Sequence, residues 1–162
     1  MACEKLQPYF YFLIILITRI RMNSNTYRLN EGSINIPNNW QDQSMNVFIL
    51  PDDSGINLVI NRAPVPVGMD GEEYYQEVIH QFQHNLKNYR EISQEIVQLD
   101  EKPAYLLEYQ WQTPEGIMYQ CTVMQICHNL LLTFTYTANN PFTKKQRQAL
   151  LEVVYSYKTT KK

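Results

Sequence analysis

Residues 102–138 read KPAYLLEYQWQTPEGIMYQCTVMQICHNLLLTFTYTA, and this stretch decides the fold class. Its extended runs of apolar and uncharged polar residues are broken at two points by residues that favour turns, Thr113-Pro114-Glu115-Gly116 and His128-Asn129. Strands joined by such short turns pair in opposite directions. The pattern therefore predicts three consecutive antiparallel strands, at about 102–112, 116–127 and 130–138.

Shorter strands precede this stretch, and they too are bounded by turn-forming residues. Glu31-Gly32 indicates the turn of a first hairpin. Ala63-Pro64-Val65-Pro66 ends the first part of the sheet, because proline has no N–H to donate to a neighbouring strand. These shorter strands are predicted at 27–30, 33–36, Met45–Leu50, Ile56–Arg62 and 89–98.

Two helices are predicted, and each begins with a capping box. Asp70 with Glu73 marks the start of a helix at about 71–88, and Thr143 with Gln146 marks the start of a second one. Apolar residues then recur at helical spacing, so that each helix has one buried stripe. The stripes are Tyr75, Ile79, Phe82 and Leu86 in the first helix and Leu150, Val153, Val154 and Tyr157 in the second.

These elements predict an α+β fold, a mainly antiparallel sheet with two α-helices packed against it. Twelve tyrosines against five glycines agree with a β-rich chain that lacks glycine-built phosphate loops. The 162 residues are about one domain's worth, enough to bury a substantial core.

The charge balance argues against nucleic-acid partners. Lysine and arginine total 14, aspartate and glutamate total 16, and the formal net charge is −2. No basic excess is available to bind DNA, RNA or an anionic lipid surface. We therefore expect no nucleic acid among the partners of this protein.

The cysteine pattern argues against a disulfide framework. The chain has three cysteines, and Cys121 and Cys127 lie six residues apart on one predicted strand. That spacing separates them by roughly 20 Å, well beyond the reach of a disulfide. Reduced thiols in a cytosolic protein are the expectation.

The N-terminal residues have a different character from the rest of the chain. Tyr9–Thr18 form a ten-residue apolar run, about half the length that a membrane-spanning helix needs. Basic residues follow the run instead of preceding it, which is not typical of a signal peptide. We expect residues 1–21 to be an extension outside the native protein, which would begin at Met22 and form a single domain over 22–162. A short membrane anchor is the alternative interpretation.

The sequence contains no recognisable catalytic or metal-binding motif. His80 and His84 share one helix face, but a zinc site needs three or four ligands and Glu77 is the only nearby addition. No Walker A, GxGxxG or GxSxG sequence occurs. We therefore expect no metal, no cofactor and no enzymatic activity.

One side of the predicted sheet mixes apolar and uncharged polar residues. On strand 56–62 the core side is aliphatic, whereas the other side carries Asn57, Val59 and Asn61. We place this side opposite the two helices. The residues assigned to it as candidate binding residues are Met45, Val47, Asn57, Val59, Asn61, Gln120 and Thr122. A slip of one residue in the strand 116–127 would turn Gln120 and Thr122 to the other side.

A surface of this composition suits an apolar ligand that also has occasional polar groups. A transmembrane helix is such a ligand, since helices in lipid pack through small residues and through hydrogen bonds from Ser, Thr, Asn and Gln. Two alternatives remain at this point: a half-exposed sheet face with no ligand, and a general apolar interface.

A longer sequence pattern resembles a known family. The string Trp40-Gln41-Asp42-Gln43-Ser44-Met45-Asn46-Val47-Phe48, with Tyr27-Arg28-Leu29 and Ile36-Pro37 before it and Glu108-Tyr109-Gln110-Trp111 after it, is similar to the Eag chaperones. These are the effector-associated chaperones of type VI secretion systems, related to DcrB and with the PsbP-like fold. The resemblance covers nearly all of Met22–Lys162 and does not extend to residues 1–21.

The resemblance implies a cytoplasmic homodimeric chaperone without enzymatic activity. Its partner would be the N-terminal transmembrane region of a secreted toxin, often a PAAR or Rhs protein. The chaperone would hold that region soluble until the toxin is loaded on the secretion spike. The chaperone itself would not insert into a membrane. Sheet faces form the family's groove, to which the seven candidate residues would belong. Asn57 and Asn61 are amides at positions where the resemblance leads us to expect small hydroxyl residues in some relatives.

Two other functions are kept as rivals. The first is a DcrB-like envelope protein tethered by residues 9–18, which would sediment with membranes in detergent-free fractionation. The second is an enzyme of unknown activity, which predicts a polar cleft lined by titratable groups with perturbed pKa values.

Overall fold

The computed structural model of the protein describes residues 24–52 and 54–159. It divides into two compact units, Met1–Asp42 and Gln43–Lys162. The expectations for residues 1–21 lie outside the described residues.

The first unit contains a two-stranded antiparallel hairpin. Strand β1 is Ser24–Arg28 and strand β2 is Ser33–Pro37. Thr26 lies opposite Asn35, and the Leu29 N–H donates to the Gly32 carbonyl across the predicted turn, at 2.7 Å.

The second unit is built on a six-stranded sheet in the order β3-β4-β8-β7-β6-β5. Every neighbouring pair of strands is antiparallel. The strands are β3 Asn46–Ile49, β4 Asn57–Pro64, β5 Arg90–Leu99, β6 Lys102–Thr113, β7 Gly116–Cys127 and β8 Leu130–Ala138. Strands β6, β7 and β8 are the three consecutive strands predicted from residues 102–138. The pairing of β4 with β8 is the one pairing in this sheet between strands far apart in sequence.

Helix α1 spans Gly71–Asn85 and begins at the predicted capping box. The Glu73 N–H donates to the Asp70 carboxylate at 2.9 Å, and the Asp70 N–H donates back to the Glu73 side chain. The helix ends before the predicted residue 88, because the backbone of Leu86 is extended and Asn88 has a φ of 53°.

Helix α2 spans Lys144–Tyr155, and its predicted capping box is also present. The Gln146 N–H donates to the Thr143 hydroxyl, and the Thr143 N–H donates to the Gln146 side chain. The predicted stripe was wrong at Val153, whose side chain is 56% exposed, whereas Leu151 is buried. Both residues are apolar and within one turn of Leu150, so spacing alone did not distinguish them.

The two helices pack on opposite faces of the sheet. Leu106 belongs to the cluster that includes Leu150, Leu151 and Val154 of α2, whereas its neighbour Leu107 packs with Tyr75 and Ile79 of α1. Neighbouring residues on a strand point to opposite faces. The expectation that both helices lie opposite the candidate binding side was therefore wrong. Strands β6 and β7 carry apolar residues on both faces, and each face is covered by one helix. The predicted α+β class is confirmed.

Candidate binding face

The register of the sheet brings the predicted binding residues together on one face. Val47 lies opposite Val59, Val59 opposite Thr135, and Thr135 opposite Thr122, so that one row crosses four strands. Directly opposed residues in antiparallel strands point to the same side. Val47, Val59 and Thr122 therefore share a face, and the one-residue slip of β7 that would have separated them does not occur.

A second row runs beside the first. It joins Ile49, Asn57, Thr137 and Gln120 across the same four strands. Asn61 lies opposite Thr133 in a third row, and Met45 directly precedes β3.

We call this surface the uncharged face, because the residues that form it include no Asp, Glu, Lys or Arg. It lies on the α1 side of the sheet, beside the area that α1 covers. It consists of Val47, Ile49, Asn57, Val59, Asn61, Met118, Gln120, Thr122, Thr133, Thr135 and Thr137, with Met45 at its margin.

Exposure falls across the uncharged face from β3 to β7. On β3, Val47 is 54% and Ile49 is 77% exposed. The side chains of Asn57 and Val59 on β4 are half-buried, and Thr122 on β7 is buried. A ligand on this face would thus meet exposed aliphatic groups at the β3 edge and less accessible, more polar groups toward β7.

Side-chain hydrogen bonds fix the polar part of the face. The Trp111 indole N–H donates to the Gln120 Oε1 at 2.8 Å, and the Gln120 Nε2 donates to the Thr137 hydroxyl at 3.1 Å. The Thr122 hydroxyl donates to the Thr135 hydroxyl, also at 3.1 Å. The Gln120 amide therefore has a defined orientation, with one Nε2 hydrogen not used by Thr137.

The two asparagines of β4 differ in their surroundings. Asn61 is exposed, and its Oδ1 accepts a hydrogen bond from the Arg62 N–H at 2.7 Å. Asn57 is half-buried, between Ile49 on β3 and Thr137 on β8. Both amides retain donors that can reach a polar group laid on the sheet.

A titratable side chain that borders the second row, the Tyr109 phenol, is uncharged at physiological pH. Tyr109 lies opposite Gln120 at the end of the second row and is buried. Burial raises the pKa of the Tyr109 phenol to about 12, so it stays protonated well above neutral pH.

The other candidate residues do not form a chemical site in the described part of the chain. The ring centroids of His80 and His84 lie 4.1 Å apart on the exposed side of α1, with the ring planes tilted by 39°. The described residues contain no group of three or more potential metal ligands. Burial raises the pKa of the Cys121 thiol to about 12. Cys127 Sγ lies 3.3 Å from the His128 Nδ1 at the β7–β8 turn.

Several residues of the face were not among the predicted site residues. Thr133, Thr135 and Thr137 complete its polar rows and Ile49 is its most exposed apolar side chain. Their alternation along β3 and β8 was visible in the sequence, but only the pairing of β4 with β8 shows that they adjoin Asn57 and Val59.

Neither helix described by the structure combines the length and apolarity required to cross a bilayer.

Comparison with known proteins gives one family and several relatives. The DcrB family model matches residues 31–156. A curated protein from Pseudomonas aeruginosa, "Effector EagT6", is 30% identical over 89 residues, which are 53% of this chain and 62% of that protein. The aligned part thus spans less than two thirds of the relative's length.

Two solved structures are also similar. The crystal structure of PA94 from P. aeruginosa, a protein of unknown function, is 22% identical with a TM-score of 0.74, over 86% of this chain and 99% of that one. It therefore has the same fold. The solution structure of the cyanobacterial PsbP from Synechocystis sp. PCC 6803 is 11% identical with a TM-score of 0.42, over 82% of this chain and 88% of that one.

Proposed function

The chain belongs to the DcrB family, and we propose that it is an ATP-independent chaperone for type VI secretion effectors. It would bind and shield the N-terminal transmembrane helices of PAAR or Rhs toxins before they are loaded on the secretion spike. The predicted resemblance to Eag proteins is confirmed by the identity to EagT6. The observation that carries the proposal is the uncharged face.

The composition of that face is suited to contact with a transmembrane helix. Exposed sheet faces of soluble proteins usually alternate apolar residues on the core side with polar, mostly charged residues on the solvent side. Here the accessible side of four strands offers methyl groups, amides and hydroxyls without any charge. Transmembrane helices contact one another through a similar uncharged mixture, because an isolated charge is costly where water is excluded.

Each predicted binding residue has a role that fits its position. Met45, Val47 and Val59 would cover the apolar surface of a bound helix, since the first two are 60% and 54% exposed at the β3 edge. Such burial stabilises a complex by roughly 25 cal/mol per Å² of apolar area, less the costs of association and ordering.

The polar residues would satisfy groups of the ligand that have lost water. Asn57 and Asn61 offer amide donors, and Gln120 is held in place by Trp111 and Thr137. Thr122 is only 1% exposed, so its part in the site would be to orient the Thr135 hydroxyl rather than to touch the ligand.

The remaining parts of the proposal follow from the similarity to EagT6. The protein would act in the cytoplasm as a homodimer, without enzymatic activity and without inserting into a membrane. Detergent-free fractionation tests the location: a protein found with sedimented membranes would favour the rival, a tethered DcrB-like envelope protein.

Co-expression with the hydrophobic N-terminal region of a toxin tests the function. The tagged chain should keep that region in the soluble fraction and co-purify with it, and the region expressed alone should precipitate. The variants Val47→Asp and Val59→Asp should lose most of the co-purified toxin, because a carboxylate would face an apolar ligand without a partner.

Val153→Asp is the matched control. Val153 is about as exposed as Val47 but lies on α2, on the other side of the sheet. Its variant should co-purify with the toxin region as the unmodified chain does. Equal recovery of toxin with all three variants would contradict the assignment of the binding face.

A further inference from the structure

The hydrogen bonds of the uncharged face fix the direction in which the Gln120 amide points. An indole N–H can only donate, so the Gln120 atom that lies 2.8 Å from the Trp111 Nε1 is the carbonyl oxygen Oε1. The amide nitrogen then faces Thr137, and Nε2 donates to the Thr137 hydroxyl at 3.1 Å. The hydrogen bonds therefore run in one direction, from Trp111 through Gln120 to Thr137.

Asn61 on β4 is oriented in the same way by a different group. Its Oδ1 accepts from the Arg62 backbone N–H at 2.7 Å, and a backbone N–H, like an indole N–H, can only donate. The Asn61 carbonyl is thus bound within the chain, and its Nδ2 is turned away from the Arg62 N–H. Two amides on different strands are therefore oriented by groups that have no lone pair to offer.

These bonds engage acceptors and leave donors. Oxygen atoms of Gln120, Asn61 and Thr137 each accept a hydrogen bond within the chain. In the part of the chain that the structure describes, no side-chain hydrogen bond uses the second Nε2 hydrogen of Gln120, the Nδ2 hydrogens of Asn61 or the hydroxyl hydrogen of Thr137. The oriented polar groups of the face thus present mainly N–H and O–H donors to a ligand.

An α-helix is a ligand whose backbone can accept from such donors. Beyond its first turn, its N–H groups are bonded within the helix, whereas each carbonyl oxygen keeps a second lone pair. Serine and threonine side chains on the helix add further oxygen acceptors. An extended segment would also present backbone N–H groups, and these would meet donors instead of acceptors on this face.

We infer that the uncharged face selects its ligand by hydrogen-bond acceptors, and that Trp111 is a positioning residue that holds Gln120 in the donating orientation. The inference rests on the proposed function and adds the chemistry of the recognised group, an oxygen acceptor on a helix. Without the indole N–H, the Gln120 amide would be free to turn over and present its carbonyl oxygen to the ligand.

A pair of model helices tests this preference. Each is a dye-labelled peptide of about twenty leucine and alanine residues with lysines at both ends for solubility. The two peptides differ only at the central residue, which is O-methylserine in one and norvaline in the other. These side chains have the same number of heavy atoms and no donor, but O-methylserine has an ether oxygen that can accept a hydrogen bond.

Fluorescence anisotropy with the full-length chain gives the affinity for each helix, and the ratio of the two affinities cancels what the peptides share. Trp111→Phe and Thr137→Val should each lower the relative affinity for the O-methylserine helix roughly five- to tenfold, because each removes a fixed donor. Thr137→Ser, which keeps the hydroxyl, should retain the ratio of the unmodified chain.

Gln148→Met is the matched control, because it changes a hydrogen-bonded glutamine on α2, on the other side of the sheet. It should leave the ratio unchanged. Equal weakening of both helices by Trp111→Phe would show that the indole only supports packing, and would overturn its positioning role. A ratio that is the same in the unmodified chain, Trp111→Phe and Thr137→Val, or binding of neither helix, would overturn the acceptor preference.

A second measurement needs no ligand. In nuclear magnetic resonance spectra of the nitrogen-labelled chain, Trp111→Phe should shift the side-chain amide signals of Gln120 clearly and leave those of Gln148 in place. Thr137→Val should shift the Gln120 signals as well, because it removes the acceptor for Nε2. Gln120 amide signals that are unchanged in both variants would contradict the hydrogen-bonded orientation.

Failure of this inference is distinguishable from failure of the proposed function. A chain that keeps the toxin region soluble but gives the same ratio in all variants would overturn the acceptor preference alone. A chain that prefers the O-methylserine helix through Trp111 and Thr137 but leaves the toxin region insoluble would overturn the chaperone function alone.

Discussion

Arg147 joins helix α2 to two strands through carboxylates on the α2 side of the sheet. Its guanidinium contacts Glu95 at 2.9 Å and also pairs with Glu108, whose side chain is only 12% exposed. A carboxylate that is largely removed from water depends on such a partner, because leaving a buried charge unpaired costs far more than losing an exposed ion pair.

We predict that Arg147→Met lowers the free energy of unfolding by about 2 kcal/mol, because Glu108 loses its charged partner while an unbranched apolar stem is retained at position 147. Urea unfolding at neutral pH measures the change. Lys158→Met is the matched control: Lys158 contacts Asp100 at 3.3 Å but is 73% exposed, so less than about 1 kcal/mol is expected. A larger loss in the control than in Arg147→Met would contradict the argument.

At the scale of single elements, the capping boxes show how local sequence decides where a helix begins. The Asp70 carboxylate accepts from the Glu73 N–H, one of the backbone donors at the start of α1 that no helical carbonyl can satisfy. The same reciprocal pair is formed by Thr143 and Gln146 at the start of α2. Both starts could be predicted because the interaction involves residues three apart in sequence.

We predict that Asp70→Ala destabilises the protein by about 1 kcal/mol, because it removes the acceptor for the Glu73 N–H. Asp70→Asn should retain most of the stability, since asparagine caps helices about as well as aspartate. Thermal unfolding of the two variants at neutral pH compares them directly. Equal losses for Ala and Asn would mean that charge at the helix start, not the cap hydrogen bond, is the main contribution.

The difference between interactions local in sequence and interactions between distant segments also explains which parts of the sheet the sequence predicted. Alternation along one strand predicted that Asn57, Val59 and Asn61 share a side, but it could not exclude a one-residue slip of the strand that carries Gln120 and Thr122, whose side is given by its pairing with β6 and β8. Alternation did not show which helix covers which face, because Leu106 and Leu107 are both apolar and both buried. The contribution of Thr135 and Thr137 depends on the β4–β8 pairing, which joins segments about 70 residues apart and leaves no local pattern.

At the scale of the whole molecule, buried phenol and thiol groups make the stability of the fold depend on pH. Burial raises the pKa of Tyr109, Tyr136 and Cys121 to about 12. In the unfolded chain the tyrosines lose their protons near pH 10 and cysteine near pH 8.5. Between these values and pH 12 the unfolded state binds fewer protons than the folded state, so stability falls as the pH rises.

We therefore predict a progressive loss of stability from about pH 9 to pH 12, measured as the urea midpoint at a series of pH values. Tyr109→Phe should make this dependence shallower, because it removes one of the groups that the folded state keeps protonated. Superimposable alkaline profiles for the variant and the unmodified chain would show that Tyr109 does not contribute.

The absence of ionisable side chains from the uncharged face has a consequence for how a client would leave it. Added salt weakens attraction between opposite charges, and acidification discharges carboxylates, but neither removes an attraction that rests on methyl groups, amides and hydroxyls. A complex made through this face would therefore be indifferent to the ionic conditions that release many charged partners. Under the proposed function, a bound toxin segment would be released by a competitor with a more complementary apolar surface rather than by a change of solution.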